Sequence, residues 1–320
     1  MKRIILAILA FTMLMIPTSG CKQNSSGTDS RISVVCTIFP QYDWARQILG
    51  DKADEITLTL LLNNRADLHN YQPSVDDIIT ISTCDLFIYV GGESDKWVDG
   101  ALRDAINKQM IVINLLDALG GAAKEEVLLE GMEDEEEDGD DADYDEHVWL
   151  SLRNAQVFCP VIADALALLD ADNAEKYQAN LAEYIRKLKS LDAEYRATVD
   201  AAAVKTMLFG DRFPFRYMMD DYGLTPYAAF SGCSAETEAG FDTIIFLAKK
   251  VDELELRTVM VTESSDKSIA ETIISNTIGK NQHILVLDAI QSVTSDDVGN
   301  GATYLSIMES NLNVLKEALQ

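Results

Sequence analysis

Cysteine is scarce, five residues in 320, and no C-x-x-C pair occurs, which excludes a disulfide-stapled miniature fold and a zinc ribbon or finger. Positive charge is equally short: 26 Lys and Arg face 53 Asp and Glu, for a formal charge of −27. A polyanion of this kind is repelled by phosphate backbones, so no nucleic-acid partner is expected. His-Glu-x-x-His, Gly-x-Ser-x-Gly, Gly-x-Gly-x-x-Gly and phosphate-loop patterns are all missing, and the chain reads as a non-enzyme. Only one long hydrophobic run is read as able to enter a bilayer, at the N-terminus. What remains is a chain of 48% hydrophobic content, too apolar for disorder and about twice the usual domain length, so two compact lobes are expected.

The N-terminal run has the order of an export signal. Lys2 and Arg3 precede apolar residues 4–16, and Pro17, Thr18, Ser19, Gly20 and Cys21 follow. The run is too short to span a bilayer stably. A cysteine directly after small residues resembles the acylation site of bacterial lipoproteins, although Thr18 stands where such signals carry Leu or Val. On this reading residues 1–20 are removed, Cys21 is lipidated, and polar residues 21–30 tether the fold to the outer face of the membrane. Ordinary secretion with a free Cys21 is the alternative. Cys36, Cys84, Cys159 and Cys233 then allow three pairings in an oxidising compartment, or stay as buried thiols.

From Ile32 onward short apolar runs alternate with amphipathic segments. Residues 32–37, 56–62, 86–90 and 110–115 read as buried strands, with helices at 44–49, 75–82 and 97–108 between them. A helical run ending near Leu169 closes a first lobe, 31–170. Residues 173–203 contain no Gly or Pro, and Tyr177, Leu181, Tyr184, Ile185, Leu188, Leu191, Tyr195 and Val199 recur at helical spacing, so one long helix is expected over about 171–203. Alternation resumes over 204–320, with strands at 205–209, 225–230, 257–262 and 283–287 and helices at 215–222, 235–254, 267–278 and 303–319. The expected class is therefore α/β: two parallel-sheet lobes joined by a long backbone helix. An acidic insertion interrupts the first lobe. Residues 125–146 hold 14 Asp and Glu and no Lys or Arg, about half of the charge excess, which predicts a solvated loop able to collect cations.

Two of the three histidines lie in loops that precede helices. His69 sits in Asp67-Leu-His-Asn-Tyr-Gln-Pro-Ser74, just past a predicted strand, where Ser74 and Asp77 are spaced as a helix-capping pair. His147 follows the acidic loop in Glu146-His-Val-Trp-Leu150. Ligands of open parallel sheets collect beyond the carboxyl ends of strands, which is where His69 falls.

These segments resemble the ligand motifs of the zinc and manganese receptor family, the metal-binding solute receptors of ABC importers. Gly92-Glu93 with Trp97, Phe215 to Leu224, and Tyr304-Leu-Ser-Ile-Met with Asn311-Leu312 are similar to further family signatures, in order from about Ile32 to the C-terminus. The resemblance implies a metal held between the lobes by His69 and His147 from the first and by two ligands from the second. Asp288 falls on the carboxylate position. The other, five residues before Tyr217, where the family has His or Glu, is Arg212, and a guanidinium has no lone pair to donate. Asp211, in what reads as a turn, is favoured as the replacement; Glu263, a water, or an Arg212–Asp288 ion pair that opens on binding are the alternatives. His283 is read as sheet-edge packing and Cys233 as a soft donor near the cleft with a packing or disulfide role.

The expected function is capture of zinc, with manganese next, and its delivery to an ABC permease by a monomeric, lipid-anchored extracytoplasmic receptor. Imidazole binds metal only when neutral, so acid is expected to release the ion. A surface adhesin or a metal-dependent enzyme on the same scaffold are the other classes weighed.

Overall fold

The computed structural model describes residues 31–63, 68–132, 144–233 and 239–320. The export signal, the tether, the proposed acylation at Cys21, Asp67 of the first histidine motif and the centre of the acidic insertion lie outside these residues.

The first sheet is built from β1 (Ser33–Cys36), β2 (Thr57–Leu60), β3 (Leu86–Tyr89) and β4 (Ile111–Asn114), all parallel, in the order β2-β1-β3-β4. Helices α1 (Phe39–Leu49), α2 (Val75–Thr83) and α3 (Val98–Arg103) connect these strands, and α4 (Leu115–Leu119) and α5 (Leu152–Leu169) follow. Apolar β-branched residues bury the strands on both faces, as Val34, Val35 and Ile88 show, and that burial makes a parallel arrangement with helical crossovers the stable solution. α1 begins at Phe39, five residues before the predicted start at Trp44; Pro40 sits in its first turn, where its missing N–H costs nothing. At α2 the capping pair forms: the Ser74 N–H donates to Asp77 Oδ2 at 2.8 Å and the Asp77 N–H to Ser74 Oγ at 3.2 Å.

α5 shows that hydrophobicity alone was an incomplete guide to membrane entry. Its 18 residues are also apolar and long enough to cross a bilayer, yet Ala155, Phe158, Cys159, Ile162 and Leu166 are buried in the core. The helix packs against α6 (Ala174–Ala201), the long helix that joins the lobes, whose buried stripe is Tyr177, Leu181, Tyr184, Leu188, Leu191, Tyr195 and Val199.

The second sheet repeats the pattern: β5 (Thr206–Phe213), β6 (Thr225–Ser231), β7 (Thr258–Val261) and β8 (His283–Val286), parallel, in the order β6-β5-β7-β8. Its helices are α7 (Arg216–Tyr222), α8 (Phe241–Glu253), α9 (Ser268–Asn276), the short α10 (Ser295–Gly299) and α11 (Tyr304–Ala318). Gly223 ends α7 at φ 73, with its N–H donated to Met219 O at 2.9 Å, the left-handed stop its position predicts. β5 runs four residues further than expected, so Asp211 and Arg212 belong to a strand and not to a turn. The strand slips register between Phe209 and Arg212, and that bulge is why polar residues interrupt its apolar pattern.

α11 returns to the first lobe. The Tyr304 N–H donates to Asp43 Oδ2 of α1 at 2.9 Å, and its hydroxyl donates to Trp149 O at 2.7 Å. The Trp149 indole N–H in turn donates to Ala289 O, beyond β8, at 2.9 Å. These buried bonds fix the segment that carries His147 against both lobes.

Candidate metal centre

The loops after β2, β3 and β6 and the segment between α4 and α5 supply the site. The loop after β2 tightens into a single 3-10 turn, Leu68–Asn70, in which Leu68 is buried and anchors His69. His147 stands immediately before another such turn, Val148–Leu150, whose three side chains are fully buried. The base of the acidic insertion is closed beside it: the Asp145 N–H donates to Lys124 O at 2.8 Å, and Glu125 bridges Tyr144. Tyr217 of α7 clamps both sides of this base, accepting the Lys124 N–H at 3.0 Å and donating to Asp145 O at 3.1 Å.

The two imidazoles meet. His69 Nε2 and His147 Nε2 are 3.1 Å apart, with ring centroids 5.1 Å apart and planes inclined at 54°. Two nitrogens bound to one tetrahedral zinc ion at about 2.0 Å lie about 3.3 Å from each other, so the observed spacing is close to what a single ion demands. The opposite ring nitrogens face acceptors. His147 Nδ1 lies 3.1 Å from Asp145 Oδ1, which also accepts the His147 backbone N–H at 2.9 Å. A carboxylate only accepts, so His147 carries its hydrogen on Nδ1 and leaves the Nε2 lone pair for a ligand. His69 Nδ1 lies 2.9 Å from Ser94 Oγ and 3.5 Å from Glu146 Oε2.

Electrostatics favour a cation here. Burial pulls the His147 imidazole toward neutrality, but the Asp145 carboxylate beside it prevails and holds it above the usual histidine range. Burial pushes the Glu146 carboxyl up, yet the His69 ring and the Ser94 hydroxyl and N–H outweigh it and keep it below the usual carboxylate range. The Ser94 N–H reaches Glu146 Oε1 at 2.7 Å because Gly92, at φ +83, has no side chain; a Cβ there would sit 2.4 Å from that oxygen. A cavity of about 400 Å³ opens onto His69, and its walls include Glu93, Glu126, Glu146 and Cys233.

The second lobe presents a different donor from the one expected. Among the described residues, one set of potential ligands gathers, His69, His147 and Cys233, with ligand atoms within 4.8 Å of one another. Asp211 is not brought to them. Its Oδ2 accepts the Thr262 N–H at 2.8 Å and hydroxyl at 2.7 Å, and its Oδ1 the Arg212 N–H at 2.8 Å, so the carboxylate ties β5 to the end of β7. Glu263 spends both oxygens on the backbone N–H groups of Ala289 and Gln291, at 2.7 and 3.1 Å. Asp288, also outside the set, has its Oδ1 on the Ile290 N–H at 2.7 Å, and its backbone is held in both directions by Asn311 of α11, at 2.9 and 2.8 Å. Burial, reinforced by neighbouring Glu263, pushes the Asp288 carboxyl up.

Cys233, expected from the sequence as a soft donor near the cleft with a packing or disulfide role, stands beside both histidines. All four cysteines from Cys36 onward are free thiols, with Cys36, Cys84 and Cys159 buried in the core. The available signal was positional: Gly232-Cys233 directly follows β6, at the edge where ligand loops of parallel sheets emerge.

Two parallel α/β lobes are bridged by one long helix, with two imidazoles in contact and Glu93, Glu126 and Glu146 in the cavity wall beside them. Residues 34–318 match the family model described as zinc-uptake complex component A, periplasmic, and the chain belongs to that family. It is 29% identical over 323 residues to the zinc-binding lipoprotein AdcA of Streptococcus pneumoniae, covering 99% of this chain and 61% of the relative, so it spans about three-fifths of that protein's length. It is 29% identical to the high-affinity zinc uptake system protein ZnuA of Bacillus subtilis, over 98% of this chain and 97% of that one. Among solved structures, the metal-dependent lipoprotein YcdH of Bacillus subtilis superposes with a TM-score of 0.72 at 28% identity, covering 91% of this chain and all (100%) of the other. The Zn(II)-bound ZnuA-like domain of Streptococcus pneumoniae AdcA gives 0.70 at 28% identity, covering 90% and 99%.

Proposed function

We propose that this chain captures a divalent transition-metal ion outside the cytoplasm, zinc before manganese, and hands it to an ABC permease. His69 and His147 are the first-lobe ligands. The observation that carries the reading is the 3.1 Å approach of two Nε2 atoms whose partner nitrogens face Asp145 on one ring and Ser94 and Glu146 on the other. Such an arrangement presents lone pairs toward a common point, and a cation is what satisfies them together. Names of zinc uptake and zinc binding on relatives that match nearly the whole chain support zinc as cargo.

Asp288 enters the same reading as a second-lobe carboxylate ligand, its backbone held by Asn311. Asp211 serves by fixing the bulged end of β5. The receptor acts as a monomer, is held to the membrane through a lipid on Cys21, and turns over no substrate.

Native mass spectrometry with elemental analysis of protein purified without added metal tests the reading. One zinc per chain is expected, falling to none in His69→Ala and His147→Ala; a wild-type chain that stays metal-free in excess zinc would contradict it.

A further inference from the structure

We propose that Cys233 is a ligand from the second lobe, so that the cargo ion sits in a His69, His147, Cys233 set selective for zinc over manganese. This rests on the receptor reading above and goes beyond it by naming the donor that spans the lobes and the specificity that donor imposes.

Three observations place the sulfur there. First, its Sγ, with a ring nitrogen from each histidine, forms the only potential-ligand set among the described residues, all atoms within 4.8 Å of one another. Second, the loop is built to approach. Gly232 has no side chain where a Cβ would stand 2.9 Å from His147 Cε1 and 2.8 Å from Phe213 O, so only glycine lets this loop come so near the imidazole. Third, the loop is pinned in that position from the other lobe, because the Cys233 N–H donates to Glu126 Oε1 at 3.1 Å. The thiol is free, so no disulfide competes for it.

Among the other second-lobe candidates, Arg212 cannot donate a lone pair, Asp211 and Glu263 spend their oxygens within the second lobe, and Asp288, with Oδ1 on the Ile290 N–H, lies outside the gathered set. A thiolate changes what the site prefers. Sulfur is a soft donor that suits zinc, whereas manganese favours carboxylate, carbonyl and water oxygens. As the metal–sulfur bond forms, the thiol proton leaves to solvent, and the sulfur binds as thiolate at about 2.3 Å from zinc. The set supplies three protein donors and leaves one tetrahedral position open to a fourth.

Cobalt(II) substitution tests the assignment on the full chain. Wild-type protein loaded with cobalt should show a sulfur-to-cobalt charge-transfer band in the near ultraviolet together with visible bands of a tetrahedral ion. Cys233→Ser should lose the charge-transfer band while still taking up cobalt through the histidines. Chelator competition should show zinc affinity falling by more than about 10-fold in Cys233→Ser with manganese affinity changed much less, so that the zinc-to-manganese ratio drops. Because the charge-transfer band is read on unsubstituted protein, a Cys233→Ser chain that misfolds does not remove the test. Tight cobalt uptake by the wild type without any charge-transfer band would overturn the thiolate ligand and leave the histidine receptor standing. No uptake of zinc or cobalt by the wild type would overturn both.

Discussion

Asp145 Oδ1 receives both the backbone N–H of His147, at 2.9 Å, and its Nδ1, at 3.1 Å, so one carboxylate oxygen fixes the position and the tautomer of the imidazole two residues on. The pair makes His147 a fixed donor instead of a side chain that must find its rotamer when metal arrives. Removing the charge while keeping the shape, Asp145→Asn, should weaken zinc binding by about 10-fold, and Asp145→Ala by about 100-fold, the range typical of groups that orient metal-bound histidines. Competition with a chelator of known affinity measures both. Wild-type affinity in the alanine variant would show that His147 is oriented by its surroundings alone.

Gly232→Ala tests the close approach of the loop after β6. The added Cβ would meet Phe213 O at 2.8 Å and His147 Cε1 at 2.9 Å, so either β5 or the imidazole must give way. Stability should fall by about 1–3 kcal/mol in denaturant titrations, as for other overpacked sites, and zinc affinity should fall with it. Unchanged affinity would mean that the loop and His147 move independently.

Asp95 links stability to pH. Burial raises its carboxyl to about 7, with the Glu146 charge adding to the rise and the Gly91 and Val90 N–H groups opposing it. Those two N–H groups both donate to Oδ2 at 3.0 Å, while Oδ1 is buried without a partner among the described residues. The folded state therefore keeps a proton that the unfolded chain gives up near pH 4, and stability declines as pH rises from about 4 to 7. Asp95→Asn keeps the acceptor for both N–H groups and carries no charge. Compared with wild type in metal-free urea titrations, it should be similar near pH 4 and more stable above pH 7. A difference that does not vary with pH would contradict the assignment.

The acidic insertion acts through its charge. Deleting residues 133–143, which contain 9 acidic groups, should slow zinc capture at low ionic strength and leave the equilibrium affinity within about 2-fold. Stopped-flow capture against a fluorescent chelator at low and high salt reads this directly. A large loss of equilibrium affinity would place the insertion inside the site.

Much of the architecture was legible because it rests on local signals. β1, β2, β3 and β4 lie inside apolar runs that the sequence marks as strands, and the α6 stripe is visible as three- and four-residue spacing of Tyr and Leu. Family motifs located His69 and His147, and the structure brings these two side chains into contact. What stayed hidden depends on tertiary geometry. β5 was cut short in the reading because the bulge at Phe209 to Arg212 breaks alternation, which made Asp211 look like a turn residue free to rotate inward. Its oxygens are instead claimed by Thr262, 51 residues away, a partner no local pattern reveals. Cys233 was undervalued for the same reason: its nearness to His147 depends on Gly232 and on a hydrogen bond to Glu126 across 107 residues.

Anomalous diffraction at the zinc edge, from crystals grown of zinc-loaded protein, tests the centre most directly. A single strong peak is expected at about 2.0 Å from both His69 Nε2 and His147 Nε2. A peak elsewhere on the molecule, or none at these two nitrogens in protein that holds stoichiometric zinc, would contradict a receptor built on the paired imidazoles.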